Sequence, residues 1–128
     1  IQRDSALENP QDVYHYLTHK LRPYPYEVFS CLFLDNAHRF IHFEELFHGS
    51  INEAAIYPRE LIRQVYEHNA AAVILAHNHP SGIAEPSEAD KRITQEIKSI
   101  LSAIDVRLLD HIIIGEGAIT SFASQGLL

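Results

Sequence analysis

The sequence predicts an α/β domain of three layers, in which helices flank a mixed β-sheet. Helical and strand-like segments alternate along the whole chain. Residues 70–77 read AAAVILAH, an unbroken apolar run with β-branched members that is typical of a strand buried on both faces. A chain of 128 residues with 46% hydrophobic side chains suits one compact domain with its own core.

The first part of the chain predicts a helix followed by a hairpin. Residues 9–12, Asn-Pro-Gln-Asp, combine an N-cap with a proline in the first turn. Apolar residues then recur at helical spacing, at Val13, Leu17 and Leu21. Strands are expected at 27–34 and 39–47, and the polar segment 35–38 between them predicts a hairpin.

The second part of the chain alternates between helix and strand. Pro58 opens a predicted helix with an apolar face. A strand at 71–77 leads through a loop into a helix at 87–102, whose apolar residues recur at helical spacing. Strands at 106–114 and 118–122 complete the predicted sheet.

The most informative pattern is a histidine pair at the end of the buried strand, followed by an aspartate. His77 and His79 are two residues apart, so both project to one side of the strand, and Pro80 ends its ladder. Ser87 is expected to cap the next helix, which brings Asp90 back over the strand end. Zinc takes imidazole and carboxylate ligands, and a catalytic ion keeps one position for water. The pattern therefore predicts a hydrolytic site with one Zn²⁺ per chain.

Other interpretations of these residues remain open or fit less well. Ser87 and Asp90 also have the spacing of a capping box, although aspartate is shorter than the usual glutamate or glutamine. A metallo-β-lactamase pattern would need an aspartate where Ser81 stands. A zinc deaminase would need a later Pro-Cys-x-x-Cys, whereas Cys31 is the single cysteine of the chain.

The same stretch resembles a known zinc signature. An upstream glutamate, His-x-His-Pro and Ser-x-x-Asp are similar to the motif of the JAB/MPN (JAMM) metalloproteases, and 69–90 resembles the bacterial RadC-like branch. Further similar segments are Gly49-Ser50-Ile51-Asn52, Tyr57-Pro58-Arg59-Glu60, 109–115 and 121–123. The resemblance spans about residues 8–128 and implies a JAB/MPN fold, with a cytidine-deaminase-like architecture.

The resemblance also implies roles for individual residues. The positions that match the zinc ligands are His77, His79 and Asp90. Ser87 matches the serine whose hydroxyl helps to stabilise the oxyanion. The implied reaction is hydrolysis of an amide or isopeptide bond in a peptide or protein, in which the glutamate takes a proton from zinc-bound water.

Two residues compete for the role of that glutamate. Glu27 opens the strand at 27–34, as the family's glutamate opens its first long strand, and it is the preferred candidate. Glu45 is the rival. By strict alternation Glu45 would share a face with Ile41, Phe43 and Phe47, which is an unfavourable place for an unpaired carboxylate.

Three classes of function are consistent with the sequence. The first is a zinc peptidase or isopeptidase; the others are a non-catalytic metal-binding or scaffold module and a DNA-processing hydrolase. RadC-like proteins carry a DNA-repair label, yet the net charge of −7 disfavours direct DNA binding by this domain. The sequence contains all four residues of the implied zinc signature, which favours the peptidase over the other two classes. These residues are His77, His79, Ser87 and Asp90.

The remaining expectations concern context. We expect one domain over 1–128, with about 1–8 as a lead-in, and the start at Ile1 suggests a piece of a longer protein. No signal-peptide pattern or membrane-length apolar run is present, so a cytoplasmic protein is expected; a homo-oligomer stays open. The pair Asp110-His111 is predicted either to orient a metal ligand or to form a strand-entry hydrogen bond.

Overall fold

The alternating pattern folds into a five-stranded sheet with three helices. The structure is a computed structural model that describes residues 2–7, 9–50 and 58–128. The helices are α1 (Pro10–Leu21), α2 (Pro58–Glu67) and α3 (Glu88–Ala103). The strands are β1 (Val28–Leu34), β2 (Phe40–His48), β3 (Ala72–Asn78), β4 (Arg107–Ile114) and β5 (Ile119–Ser121).

The sheet is mixed, as the sequence predicts. Its strand order is β2-β1-β3-β4-β5, with β3 and β4 parallel and the other neighbours antiparallel. The parallel pair follows because α3 carries the chain from the end of β3 back to the start of β4. Strands β1 and β3 lie at the centre and are buried along their whole length.

Each face of the sheet packs against a helical layer, which gives the predicted three layers. On one face, Val13 and Leu17 of α1 pack in a cluster with residues such as Leu32. On the other face, Leu61 of α2 and Leu101 of α3 share a second cluster with the sheet. The predicted α/β class, with helices on both faces of a mixed sheet, is therefore confirmed.

Strand β2 departs from the regular alternation that the sequence predicts. Its pairing with β1 shifts register twice, so that Ile41 and Leu46 are extra residues in β2. Phe43 packs on the α1 side, whereas Ile41 and Phe47 pack on the opposite side. The prediction that Glu45 shares one face with all three is wrong, because each bulge adds a residue and reverses the alternation.

Residues 4–7 of the expected lead-in form backbone hydrogen bonds with 38–40, including an isolated bridge from Ala6 to Arg39. Ile51, Asn52 and Tyr57, which belong to the similar segments above, lie outside the described residues. Among the described residues, no helix combines the length and apolar character needed to cross a bilayer.

Candidate metal centre

The end of the central strand β3 presents both histidines. His77 is the sixth residue of β3, pairs with Phe29 of β1 and Ile113 of β4, and is 1% exposed. The ring of Phe29 stacks on His77 with centroids 6.0 Å apart. His79 follows the strand, and its backbone N–H donates to the carbonyl of Ile114 at 2.8 Å. Two neighbouring strands therefore hold both histidines on a rigid edge of the sheet.

Asn78, between the two histidines, ties this edge to the start of β1. Its side-chain oxygen accepts the backbone N–H of Val28 at 2.7 Å, and its amide donates to the carbonyl of Tyr26 at 2.9 Å. These two bonds bracket Glu27. Asn78 therefore fixes the position of Glu27 relative to His77 and His79, a role that sequence reasoning missed because a buried asparagine has no distinguishing spacing.

The side chains of His77, His79 and Asp90 converge on one point. The two Nε2 atoms lie 2.9 Å apart. Nε2 of His77 is 3.2 Å from Oδ1 of Asp90, and Nε2 of His79 is 3.2 Å from Oδ2. Asp90 is 1% exposed, so this contact excludes most solvent.

Asp90 is both a helix cap and a member of this cluster, so the two interpretations of the sequence do not exclude each other. Oδ2 accepts the backbone N–H of Ser87 at 2.8 Å, and the hydroxyl of Ser87 accepts the N–H of Asp90 at 3.0 Å, which completes a capping box. Oδ1 is buried and has no hydrogen-bond partner among the described residues. A buried, ionised oxygen without a donor is costly unless a cation binds it.

The protonation of His79 is directed by the loop that follows it. Its Nδ1 lies 2.8 Å from the carbonyl of Ile83, which only accepts, so Nδ1 carries the proton and Nε2 presents a lone pair to the cluster. Partial burial lowers the pKa of His79, but Asp90, the Ile83 carbonyl and Glu27 outweigh it and raise the pKa. The site therefore attracts positive charge at this nitrogen.

The carboxyl of Asp90 is held in its charged form. Burial opposes ionisation, but the imidazoles of His77 and His79 and the backbone N–H of Ser87 hold its pKa well below the usual value. The ionised carboxylate of Asp90 and the lone pair on Nε2 of His79 therefore face the same point. A metal cation bound there would stabilise this arrangement.

The donor set and its spacing fit zinc. Ligands about 2.0–2.1 Å from a tetrahedral ion lie about 3.3 Å from one another. The two Nε2 atoms are 2.9 Å apart, and each lies 3.2 Å from a different carboxylate oxygen of Asp90, distances that are close to that value. Three protein ligands leave a fourth position, which is the pattern of a catalytic rather than a structural ion.

Glu27 lies beside the cluster, whereas Glu45 has other partners. Oε1 of Glu27 is 3.9 Å from Nε2 of His79, and Glu27, His77 and His79 offer ligand atoms within 4.8 Å of one another. Glu45 instead accepts the Tyr24 hydroxyl at 2.7 Å and lies 3.0 Å from His48.

The two carboxylates near the histidines differ in distance and burial. Asp90 has carboxylate oxygens 3.2 Å from the Nε2 atoms of His77 and His79 and is almost fully buried, whereas Glu27 lies 3.9 Å from Nε2 of His79 and its side chain is 28% exposed. Glu27 borders an open groove of about 440 Å³ that is lined by Tyr26, Glu27, His79, Pro80 and Ser81. A larger cavity of about 760 Å³ lies against α1 and contains none of the candidate site residues.

The Asp110-His111 pair divides into two separate roles. Nε2 of His111 lies 2.8 Å from Nδ1 of His77, so this buried ring directly contacts the metal-centre histidine. Asp110 accepts the backbone N–H of His111 at 2.8 Å, which is the expected strand-entry hydrogen bond, and also the Ser121 hydroxyl at 2.6 Å and the backbone N–H of Ala123 at 2.9 Å. Burial, followed by the neighbouring His77, holds the pKa of His111 well below its usual value.

Comparison with known proteins identifies the family of the chain. The family model described as the RadC-like JAB domain matches residues 7–127. The chain belongs to the RadC-like JAB domain family. The resemblance drawn from the sequence motifs is thereby confirmed, and membership supports a JAB/MPN-like hydrolase or a DNA-repair-associated role.

Several bacterial relatives share more than half of their aligned residues with this RadC-like chain. It is 58% identical to a UPF0758 protein of Nitrosococcus oceani over 128 residues, all of the chain and 57% of that protein. It is 61% identical to a UPF0758 protein of Stenotrophomonas maltophilia over 125 residues, 98% of the chain and 53% of that protein. The RadC-like chain thus spans little more than half the length of these relatives.

Proposed function

We propose that this RadC-like JAB domain is a zinc-dependent hydrolase that cleaves an amide or isopeptide bond in a peptide or protein. The observation that most supports this is the convergence of His77, His79 and Asp90, with Oδ1 of Asp90 buried and unpartnered among the described residues. These three residues would hold the ion. When bound, zinc would act as a Lewis acid that lowers the pKa of water and polarises a carbonyl.

Glu27 is proposed as the general base. Its carboxylate lies 3.9 Å from Nε2 of His79 and borders the open groove, so a water molecule in that groove can reach it. Glu27 would accept a proton from the attacking water and deliver it to the leaving amine. Asn78 holds the backbone on both sides of Glu27, which keeps the carboxylate in register with the histidines.

Ser87 is proposed as the oxyanion donor. Its oxygen accepts the backbone N–H of Asp90, so its hydroxyl hydrogen remains free to donate. No described residue accepts that hydrogen. Ser87 is exposed, whereas Asp90 three residues later is buried, so the same helix start supplies a buried carboxylate and a solvent-accessible residue with a hydroxyl. A hydroxyl that donates to the developing negative charge would contribute to rate without altering metal binding.

Paired variants of the two glutamates test this assignment. Glu27→Gln should retain zinc, measured by elemental analysis, and should lose about 10²–10⁴-fold in cleavage of an internally quenched peptide library, because a general base contributes that much. Glu45→Gln is the matched control, since it removes an acid whose partners are Tyr24 and His48. Full cleavage by Glu27→Gln would overturn the role of Glu27.

Metal content tests the proposal as a whole. We expect about one zinc per wild-type chain and none in a variant that combines His77→Ala with Asp90→Ala. A folded wild-type chain that takes up no zinc when it is offered would exclude the hydrolase. Stoichiometric zinc without cleavage of any library member would favour a metal-binding scaffold, and a salt-dependent affinity for DNA would favour a DNA-processing role.

A further inference from the structure

A chain of buried polar groups runs from the backbone of Asp90 to the imidazole of His77. The hydroxyl of Thr94 lies 2.6 Å from the carbonyl oxygen of Asp90, one helical turn earlier in α3. The same hydroxyl lies 2.6 Å from Nδ1 of His111, and Nε2 of His111 lies 2.8 Å from Nδ1 of His77. Thr94 and His111 are both fully buried.

The direction of each hydrogen bond in this chain follows by elimination. The carbonyl of Asp90 has no hydrogen, so the hydroxyl of Thr94 must donate its single proton there. The oxygen of Thr94 then accepts, and Nδ1 of His111 must be the donor. A neutral His111 with its proton on Nδ1 presents a lone pair at Nε2, which accepts a proton from Nδ1 of His77.

The consequence falls on the nitrogen that faces the metal centre. With its proton on Nδ1, neutral His77 carries a lone pair on Nε2, the atom that lies 2.9 Å from His79 and 3.2 Å from Asp90. His79 reaches the same state through one backbone carbonyl, that of Ile83. Within the described part of the chain, no backbone carbonyl accepts from Nδ1 of His77, which depends instead on two side chains from α3 and β4.

We propose that Thr94 and His111 are positioning residues, which together fix the tautomer of His77 so that Nε2 is free to bind the metal ion. This rests on the proposed zinc function. The ring of His111 is held between aromatic side chains, stacked on Phe122 at 4.6 Å and edge-on to Phe29 at 5.7 Å. Its orientation is therefore set by packing, and the Thr94 hydroxyl sets which nitrogen carries the proton.

The hydrogen bonds from His77 to His111 and from His111 to Thr94 form a relay. Removal of the Thr94 hydroxyl should reverse the hydrogen bond between His111 and His77. In Thr94→Val, Nδ1 of His111 loses its acceptor, and the buried ring is better satisfied with its proton on Nε2, where it donates to Nδ1 of His77. Neutral His77 then carries its proton on Nε2, which blocks the metal-facing lone pair. Thr94→Ser retains a hydroxyl at the same place and should preserve the wild-type tautomer.

A matched control separates this effect from the loss of a buried hydrogen bond. Ser30 is also fully buried, and its hydroxyl donates to the backbone carbonyl of Ala76 at 2.9 Å. Ser30 belongs to β1, where it lies on the same face as Val28 and Leu32 of the α1-side cluster, away from the face that carries Phe29 and His77. Ser30→Ala therefore removes a comparable bond without touching the relay.

The experiment uses the full chain and two measurements. Zinc affinity, from competition with a chromogenic chelator, should fall about 10- to 100-fold in Thr94→Val and remain near wild type in Thr94→Ser and Ser30→Ala. Long-range ¹H–¹⁵N spectra of the metal-free, histidine-labelled chain should show the proton of wild-type His77 on Nδ1. In Thr94→Val the same spectra should show it on Nε2.

The outcomes distinguish this inference from the proposed function. Wild-type His77 with its proton on Nε2, or wild-type zinc affinity in Thr94→Val, would overturn the relay. Equal losses in Thr94→Val, Thr94→Ser and Ser30→Ala would also overturn it, since packing alone would then explain the effect. A wild-type chain without zinc affinity would overturn the proposed function instead, and the metal-free spectra would still decide the tautomer.

Discussion

Replacing Asp90 by asparagine should separate its two roles. Oδ2 accepts the N–H of Ser87 in the capping box, and Oδ1 faces His77 without a hydrogen-bond partner among the described residues. Asparagine has the same shape, so its amide oxygen can preserve the cap, but it brings no negative charge to the imidazoles. We expect Asp90→Asn to fold normally without metal and to lose most of its response to zinc.

The expected size follows from the length of the chain and from linkage. A chain of 128 residues unfolds with an entropy of about 0.27 kcal/mol/K, so 1 kcal/mol shifts Tm by about 4 °C. Zinc at 100 times Kd stabilises the wild type by about 2.7 kcal/mol, or about 10 °C. If the lost ligand weakens affinity about 100-fold, the same zinc adds about 0.4 kcal/mol to Asp90→Asn, or about 1.5 °C.

Calorimetric unfolding with chelator and with zinc measures both effects. Ser87→Ala is the control, because it removes the cap and leaves the carboxylate. Its metal-free Tm should fall by about 4 °C, from the loss of about 1 kcal/mol, while zinc still raises Tm by about 10 °C. An Asp90→Asn chain that zinc stabilises as strongly as wild type would refute the role of Asp90 as a ligand and leave only the cap.

Three further predictions concern the supports of the site and the hairpin. Asn78→Ala removes one buried and one part-buried hydrogen bond beside Glu27, so urea unfolding should show a loss of about 2–3 kcal/mol, and cleavage should fall more than zinc affinity. Gly115→Ala would place Cβ 2.6 Å from a backbone oxygen of the loop after β3, and should lower Tm more than Gly117→Ala, which meets nothing within 4 Å and costs only the strain of a side chain at a φ of +71°. Hydrogen bonds from the backbone and side chain of residue 39 lower the pKa of Asp35, so its stabilisation is present above about pH 4 and is lost as pH falls. Asp35→Asn should therefore weaken the dependence of the free energy of unfolding on pH below that value. An unchanged pH dependence in this range would contradict the prediction.

The sequence predicts most of the fold because its signals are local. The cap and proline at 9–12 place the start of α1, and the apolar run at 70–77 places β3 at the centre of the sheet. The two bulges of β2 leave no such local mark, since Ile41 and Leu46 are ordinary strand residues. Their effect depends on pairing with β1, a contact between distant segments.

At the candidate site, too, the sequence predicts the residues that are close together in the chain, but it does not show which contact the residue from a distant strand makes. The spacing of His77, His79 and Asp90 is readable because one strand, one loop and one helix start bring them together. Thr94 follows Asp90 by four residues, so helical spacing could have placed it on the same face as the ligand. His111 lies on β4, and only the parallel pairing of β3 with β4 brings its ring against His77.

The side chains at the candidate metal centre favour cation binding even in the metal-free chain. The Ile83 carbonyl directs the lone pair of His79 inward, and the buried Oδ1 of Asp90 is charged without a donor among the described residues. When both histidines are neutral, these groups repel one another unless positive charge, from a proton or a metal ion, lies between them. They lie at the end of β3, a strand buried along its whole length, and at a capped helix start. A cation then gains affinity because the ligands are already in place and their repulsion is relieved when it binds.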